Sequence, residues 1–289
     1  MAPTHDTGET GAVGNVHAHP HGKRPTSTQW RTALTQVEPN RILVRGYPVD
    51  EMMGRLAFGE AVYLLLVGEL PTPAIGKLME AILVSSIDHG TTPPSTQAAR
   101  SVATTGAPLH ASVAAGVLAF GRYHGGDIES GMRCLEAGVA MVRGGMTYDE
   151  AARKLVAHYR ERREPLPGFG HRLHSYDPRA LRLLQMALEL DLDGDHAQIA
   201  RATERVLNED RNAHRIPINV DGAIAAVSCD IGLDPSAGNA LFLISRVPGL
   251  IAHAHEEHVR ERRMRQIDLS GAIYDGPSER RLPETRRER

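Results

Sequence analysis

The chain has 289 residues, enough for one large domain or two, and 41% of them are hydrophobic, which suffices for a buried core. Only 4% are aromatic, so the core must be built from Ala, Leu, Val, Ile and Met, a mixture that favours an all-α fold. A formal net charge of −2 provides no global field for nucleic acid or anionic lipid, and any anion binding must come from locally placed arginines.

Residues 1–28, rich in Gly, Thr, Pro and His, are expected to form a disordered tail with His5, His17, His19 and His21 solvated. No basic segment followed by an apolar one opens the chain, and Leu64-Leu65-Leu66-Val67 is cut by Gly68 and Glu69. That run is far short of the ~20 apolar residues of a membrane helix, so neither a signal peptide nor a span is expected. Cys134 and Cys229 lie far apart and outside any C-x-x-C pair, which suggests no disulfide framework or zinc site and fits a reducing cytoplasm. Residues 41–45 read as a short strand and Gly46-Tyr47-Pro48 as a turn. Apolar spacing then predicts helices over 49–67, 74–87, 95–105, 109–120, 127–137, 147–163, 178–190, 196–209 and 223–229. A last one, over 237–265, should break or kink at Pro248-Gly249.

Chemistry is concentrated in Gly168-Phe169-Gly170-His171-Arg172, in Asp177-Pro178-Arg179 and in Asn219-Val220-Asp221-Gly222. Glycines let backbone run close to a ligand, while an imidazole, guanidinia and a carboxylate supply proton transfer and charge. By position alone Asp221 serves equally as a helix N-cap or as a general base, with Gly222 letting a ligand approach. His124, before Gly125-Gly126, reads alone as a structural histidine, and His89, before Gly90, as a helix C-cap. His253, His255, Glu256, Glu257 and His258 fall one residue short of the H-E-x-x-H spacing, so a solvated helix face is expected rather than a metal site.

In the order Tyr123-His124-Gly125-Gly126, Gly-Phe-Gly-His-Arg, Asp-Pro-Arg and Asn-Val-Asp, the chain resembles the citrate synthase superfamily over about residues 41–265. It looks most like its short members, the citryl-CoA lyases, including the lyase module of ATP-citrate lyase. The resemblance implies a large helical domain from 29–126 plus 219–289, with a smaller helical domain, 127–218, inserted into it. It implies that Asp221 moves a proton at the methyl carbon of an acyl thioester. Neutral His124, its protonated form disfavoured by a helix N-terminus, would donate to the thioester oxygen, while His171 handles the keto or hydroxyl oxygen of the other half. His89 would orient the keto acid, and Arg179, Arg246 and Arg265 would clamp carboxylates. Arg265 would reach a partner subunit's site, which implies a homodimer or a dimer of dimers. Coenzyme A, as part of substrate or product, would lie on the loop of Gly168, Phe169 and Gly170 with help from Arg172, and no metal is implied.

The activity so implied makes or breaks the carbon–carbon bond between acetyl-CoA and oxaloacetate, with citryl-CoA cleavage the leading form. A citrate or 2-methylcitrate synthase is one alternative, and a catalytically silent regulatory or scaffold subunit is another. A scaffold would need none of His124, His171 and Asp221. Whether a citryl-CoA synthetase supplies the substrate is left open.

Overall fold

A three-stranded antiparallel sheet opens the computed structural model, which describes residues 31–171, 175–209, 215–265 and 273–281. Its strands are β1 (Thr35–Glu38), β2 (Arg41–Val44) and the two-residue β3 (Tyr47–Pro48), with Thr35 opposite Val44 and Leu43 opposite Pro48. The expected turn at Gly46 is there, at φ 88°, but Tyr47 and Pro48 beyond it pair as a strand. The tail at 1–28 and Arg172 lie outside the described residues.

Among the described residues, the regular elements after the sheet are helices. The helix expected over 49–67 is two helices, α1 (Val49–Met52) and α2 (Phe58–Val67). Gly54 turns left-handed between them, and Glu60 reaches back to accept the Ala57 amide at 2.8 Å, which starts a new helix there. Then follow α3 (Pro73–Ser85), α4 (Pro94–Ala103), α5 (Leu109–Leu118), α6 (Asp127–Arg143), α7 (Tyr148–Glu161), α8 (Pro178–Glu189), α9 (Asp195–Asn208), α10 (Val220–Asp230) and α11 (Gly238–Arg260).

Three of these differ from expectation for identifiable reasons. Helix α6 runs six residues past Ala137 because Gly138 is a contact, not a terminator: a Cβ there would lie 2.7 Å from Ile199 and 2.9 Å from Leu155. Helix α10 begins three residues before Ala223, since the Asn219 side chain caps it by accepting the Gly222 amide at 3.0 Å. Helix α11 continues through Pro248 and stops at Arg260, so residues 261–265 turn back instead of extending it.

The core is aliphatic, as composition requires. Leu78, Met79, Ile82, Ile128, Met132, Leu183, Ile199, Ile224 and Leu241 are all fully buried in one continuous cluster. Helix α10 lies at its centre against α6, α8 and α9, with Val220 and every residue from Gly222 to Ser228 buried. Helices α4, α5 and α11 pack together on another side, with Gly116 of α5 meeting the Ser95 carbonyl and Ala99 of α4.

Candidate active site

Two glycines hold the site together. The carbonyl of Gly168 accepts the Asn219 amide at 3.1 Å, the Gly170 amide donates to Pro217 at 2.8 Å, and Asn219 Nδ2 donates to the Gly170 carbonyl at 3.0 Å. At this crossing a Cβ on Gly168 would lie 2.6 Å from the Gly222 Cα, and one on Gly222 would collide with the Gly168 carbonyl. Backbone pressing on it from within the chain is therefore reason enough for glycine at position 222. The crossing also engages the backbone of the loop expected to cradle CoA: the amides of Gly168 and Gly170 and both their carbonyls have partners inside the chain. Phe169, between them and half-buried, is bridged to Ile218.

The crossing sets His171, next after Gly170, beside the start of α10. Asp221 is the second residue of that helix, and the N-cap role open to it by position belongs to Asn219. Burial raises the Asp221 pKa most, the nearby Asp127 charge raises it further, Arg179 and Arg246 oppose, and Asp177 adds to the rise, leaving it at about 6.

His124 lies in a turn closed by paired hydrogen bonds with Gly121. Its Nε2 is 2.8 Å from Ser95 Oγ, and its ring meets Phe120 and Phe242 edge-on at 5.5 and 5.8 Å between centroids. Burial lowers its pKa, and the charges of Arg246 and His89 lower it again, so the imidazole is neutral near pH 7. If the Ser95 hydroxyl donates to Nε2, the ring proton sits on Nδ1 and is available to a ligand oxygen.

Arg246, in α11, is almost wholly buried. Its Nε donates to the Ser86 carbonyl at 2.8 Å, its guanidinium carbon stands 4.8 Å from the Phe242 ring centroid, and its Nη1 is buried with no hydrogen-bond partner among the described residues. A buried guanidinium nitrogen without an acceptor is costly unless an anion completes it. Arg179, in the first turn of α8, is held by Asp177: Nε to Oδ1 at 3.0 Å and Nη2 to Oδ2 at 2.8 Å. Burial would raise the Asp177 pKa, but these bonds, the Arg179 charge and the amides of Arg179 and Val220 outweigh it and hold the carboxylate ionised.

His89 is exposed, four residues past the end of α3, so it caps no helix. Its ring stands edge-on to His171 at 6.3 Å. Its loop is fastened to α11 by Asp88, whose Oδ1 meets His253 Nε2 at 3.0 Å and whose Oδ2 accepts the Gly90 amide. Gly249 is where the Ile87 carbonyl comes against α11, which accounts for the glycine after Pro248.

His89, His124, His171, Arg179, Asp221 and Arg246 therefore form one group, linked by ring contacts and mutual charge effects. Arg265 is engaged elsewhere. It lies beyond α11, its amide donates to Thr104 Oγ1, and its Nε and Nη2 pair with fully buried Glu257, which Arg100 also contacts at 2.7 Å. Of the His-Glu-Glu-His stretch, Glu257 thus belongs to this ion-pair network, while Glu256 pairs with Arg100 and Arg260 and His253 with Asp88.

Three contributors carry no distinctive sequence signal. Ser95, beside His124, follows two prolines like any first-turn serine. Asp127, which accepts the Gly168 amide and has its own pKa raised chiefly by burial, looks like an ordinary acidic residue at a helix start. Asp177 stands in a recognisable motif, but its reach to α10 depends on tertiary contact.

Residues 72–267 match the family model for the citrate synthase C-terminal domain. The chain belongs to the citrate synthase family. A solved citryl-CoA lyase from Hydrogenobacter thermophilus is 40% identical and superposes with a TM-score of 0.80, covering 88% of this chain and 97% of that one. Citrate synthase from Thermotoga maritima is 26% identical with a TM-score of 0.62, and this chain covers 62% of it. Citrate/2-methylcitrate synthase of Bacillus subtilis (strain 168) is 29% identical over 245 residues, which are 82% of this chain but 62% of that relative. The chain thus spans less than two thirds of the curated synthases it matches. The all-α, citrate synthase-like fold anticipated from the sequence is the fold observed.

Proposed function

We propose that this protein is a citryl-CoA lyase, cleaving citryl-CoA to acetyl-CoA and oxaloacetate. The observation that carries the chemistry is the opposed tuning of two groups in one cluster: Asp221 drawn toward its protonated form and His124 held neutral. In cleavage, His171 takes the proton of the citryl hydroxyl, the carbon–carbon bond breaks, and the hydroxyl carbon becomes the ketone of oxaloacetate. The bonding pair moves into an acetyl-CoA enolate whose oxygen accepts a hydrogen bond from His124. Protonated Asp221 then delivers its proton to the enolate carbon, giving the methyl group. Arg179 and Arg246 hold the carboxylates, and Nη1 of Arg246 gains the acceptor it lacks. His171 ends protonated and Asp221 ionised, so exchange with solvent restores both.

Closer likeness favours the lyase over the synthase: identity to the citryl-CoA lyase is 40% with a TM-score of 0.80, against 26% and 0.62 for the Thermotoga maritima synthase and 29% identity for the Bacillus subtilis one. The reading includes coenzyme A as substrate and product, no resident metal, and a smaller domain, 127–218, whose helices α6, α7 and α9 pack on one another. It also includes a homodimer in the cytoplasm, supported by the apolar, exposed surface of α5 and by free Cys134 and Cys229. Among the described residues no helix is long and apolar enough to cross a membrane. The deciding experiment incubates the protein with citryl-CoA, and separately with acetyl-CoA plus oxaloacetate, following each CoA species and free thiol. Acetyl-CoA from citryl-CoA without free thiol is expected. Thiol release with free citrate from the second mixture, as fast or faster, would identify a synthase.

A further inference from the structure

The Asp177 side chain is fully buried, and both of its oxygens are occupied by parts of the site. Oδ1 accepts the Arg179 amide and Arg179 Nε, each at 3.0 Å, while Oδ2 accepts Arg179 Nη2 at 2.8 Å and the Val220 amide at 3.1 Å. Capping α8 requires only the first of these bonds. The other three fasten a guanidinium of the site and the first residue of α10 to one ionised, buried group.

We infer that Asp177 is a positioning residue for the reaction, fixing at once which edge of Arg179 meets the substrate and where Asp221 stands. The inference deepens the citryl-CoA reading and depends on it. A guanidinium offers its donors along two usable edges, one formed by Nε and Nη2 and one by Nη1 and Nη2. Asp177 occupies the first, so Arg179 meets a substrate carboxylate with the second, end-on. An unheld arginine could present either edge and would lose its rotamer freedom on binding, whereas the held one is already ordered. The Val220 amide, at the start of α10, is one of the donors that have no acceptor within their own helix, and Asp221 is the next residue. Anchoring that amide to the group that anchors Arg179 keeps clamp and proton donor in fixed relation, although 43 residues of chain separate Asp177 from Val220.

The test is steady-state kinetics of the full chain on citryl-CoA, with thermal melts of each variant. The variants are Asp177→Asn, Arg179→Ala, their combination, and Val220→Pro. Asparagine cannot accept at both oxygens. Proline at 220 deletes only the donor on α10; it is tolerated at a first helical position, and Asn219 before it, at φ −90° and ψ 178°, already has the extended backbone proline requires. Asp177→Asn should raise KM and lower kcat, cutting kcat/KM on the order of 10–100-fold. Arg179→Ala should act mainly on KM, and Val220→Pro mainly on kcat. In the Arg179→Ala background, Asp177→Asn should no longer raise KM but should still lower kcat, by the factor seen with Val220→Pro. A folded Asp177→Asn with wild-type kinetics, or one that raises KM equally in both backgrounds, would overturn the inference. If Asp177→Asn does not fold, a wild-type kcat in Val220→Pro overturns it and a lowered one supports it. A wild type inactive on citryl-CoA and on acetyl-CoA plus oxaloacetate alike would instead bring down the functional reading, and this inference with it.

Discussion

Helices α5 and α10 are both short and apolar around most of their circumference, yet the fold treats them in opposite ways. Helix α10 is enclosed by α6, α8 and α9 and is buried along nearly its whole length. Helix α5 buries only Ser112 and Gly116, while Leu109, Ala114 and Leu118 are exposed, Leu118 to 84%. Apolar all-round composition calls for cover on every side. One chain supplies it for α10; for α5, with α4 and α11 on one side, the proposed second copy would supply the remainder.

A charge placed on each helix gives the sharpest contrast. Ala225→Glu puts a carboxylate at the fully buried centre of α10 and should prevent recovery of folded protein, since an unpaired buried charge costs several kcal/mol. Circular dichroism and solubility would show it, and a native melt in this variant would contradict the enclosure of α10. Ala114→Glu on α5 is the counterpart, and comes last in expected size.

Next in size is Asp221→Asn, which leaves the enclosure of α10 intact and removes its chemistry. Turnover of citryl-CoA should fall on the order of 10²-fold or more if Asp221 is the proton donor. The fold should gain stability: because the native carboxyl has a raised pKa, the folded state binds more protons than the unfolded between pH 4 and 6, so stability falls as pH rises through that window. Asparagine escapes this loss, which at neutral pH amounts to at most about 3 kcal/mol, and the melting temperature should rise. In the wild type, the same titration should make cleavage fall about tenfold per pH unit above about 6, provided proton delivery limits the rate. Activity within a few-fold of wild type for Asp221→Asn, or a pH profile flat from 5 to 8, would remove Asp221 from the proton-transfer step.

Gly222→Ala tests the backbone contact that aligns α10. The added methyl meets the Gly168 carbonyl, so either α10 or the loop must shift, at a cost of roughly 1–3 kcal/mol and with loss of turnover. Denaturant melts with unchanged midpoints would show that the crossing is looser than described. Smallest of all, Ala114→Glu should leave the monomer within about 0.5 kcal/mol of wild type and act only on assembly. Sedimentation should show a dimer giving way to a monomer; an unaltered mass would mean that the exposed face of α5 is not an interface.

The contrast between these helices also marks where sequence reading succeeds. Period and composition place most helices within a few residues, because apolar spacing is written locally. They read Gly249 as punctuation and Gly222 as room for a ligand, whereas at both another part of the chain presses on the backbone. Which element presses cannot be read from local pattern. The cluster of His89, His124, His171, Arg179, Asp221 and Arg246 was legible through motif order, since those residue types in that order resemble a known family. Ser95, Asp127 and the reach of Asp177 to Val220 were not, because a first-turn serine or aspartate looks the same whether it caps a helix or supports a site. Continuing the period of the last helix puts Arg265 at its end, whereas the chain leaves the helix after Arg260 and turns back to Glu257.

The pairing of residues 168–170 with 217–219 has a consequence for how the molecule is made. As the chain leaves the ribosome, the Gly168 carbonyl and the Gly170 amide emerge well before Asn219 and Pro217, their eventual partners. Arg246 emerges later still. Until then the nascent protein can own most of its helices, with Arg179 already held by Asp177 two residues away, and yet have its acid and base unaligned and its second clamp unmade, so catalytic competence is among the last properties the growing chain acquires.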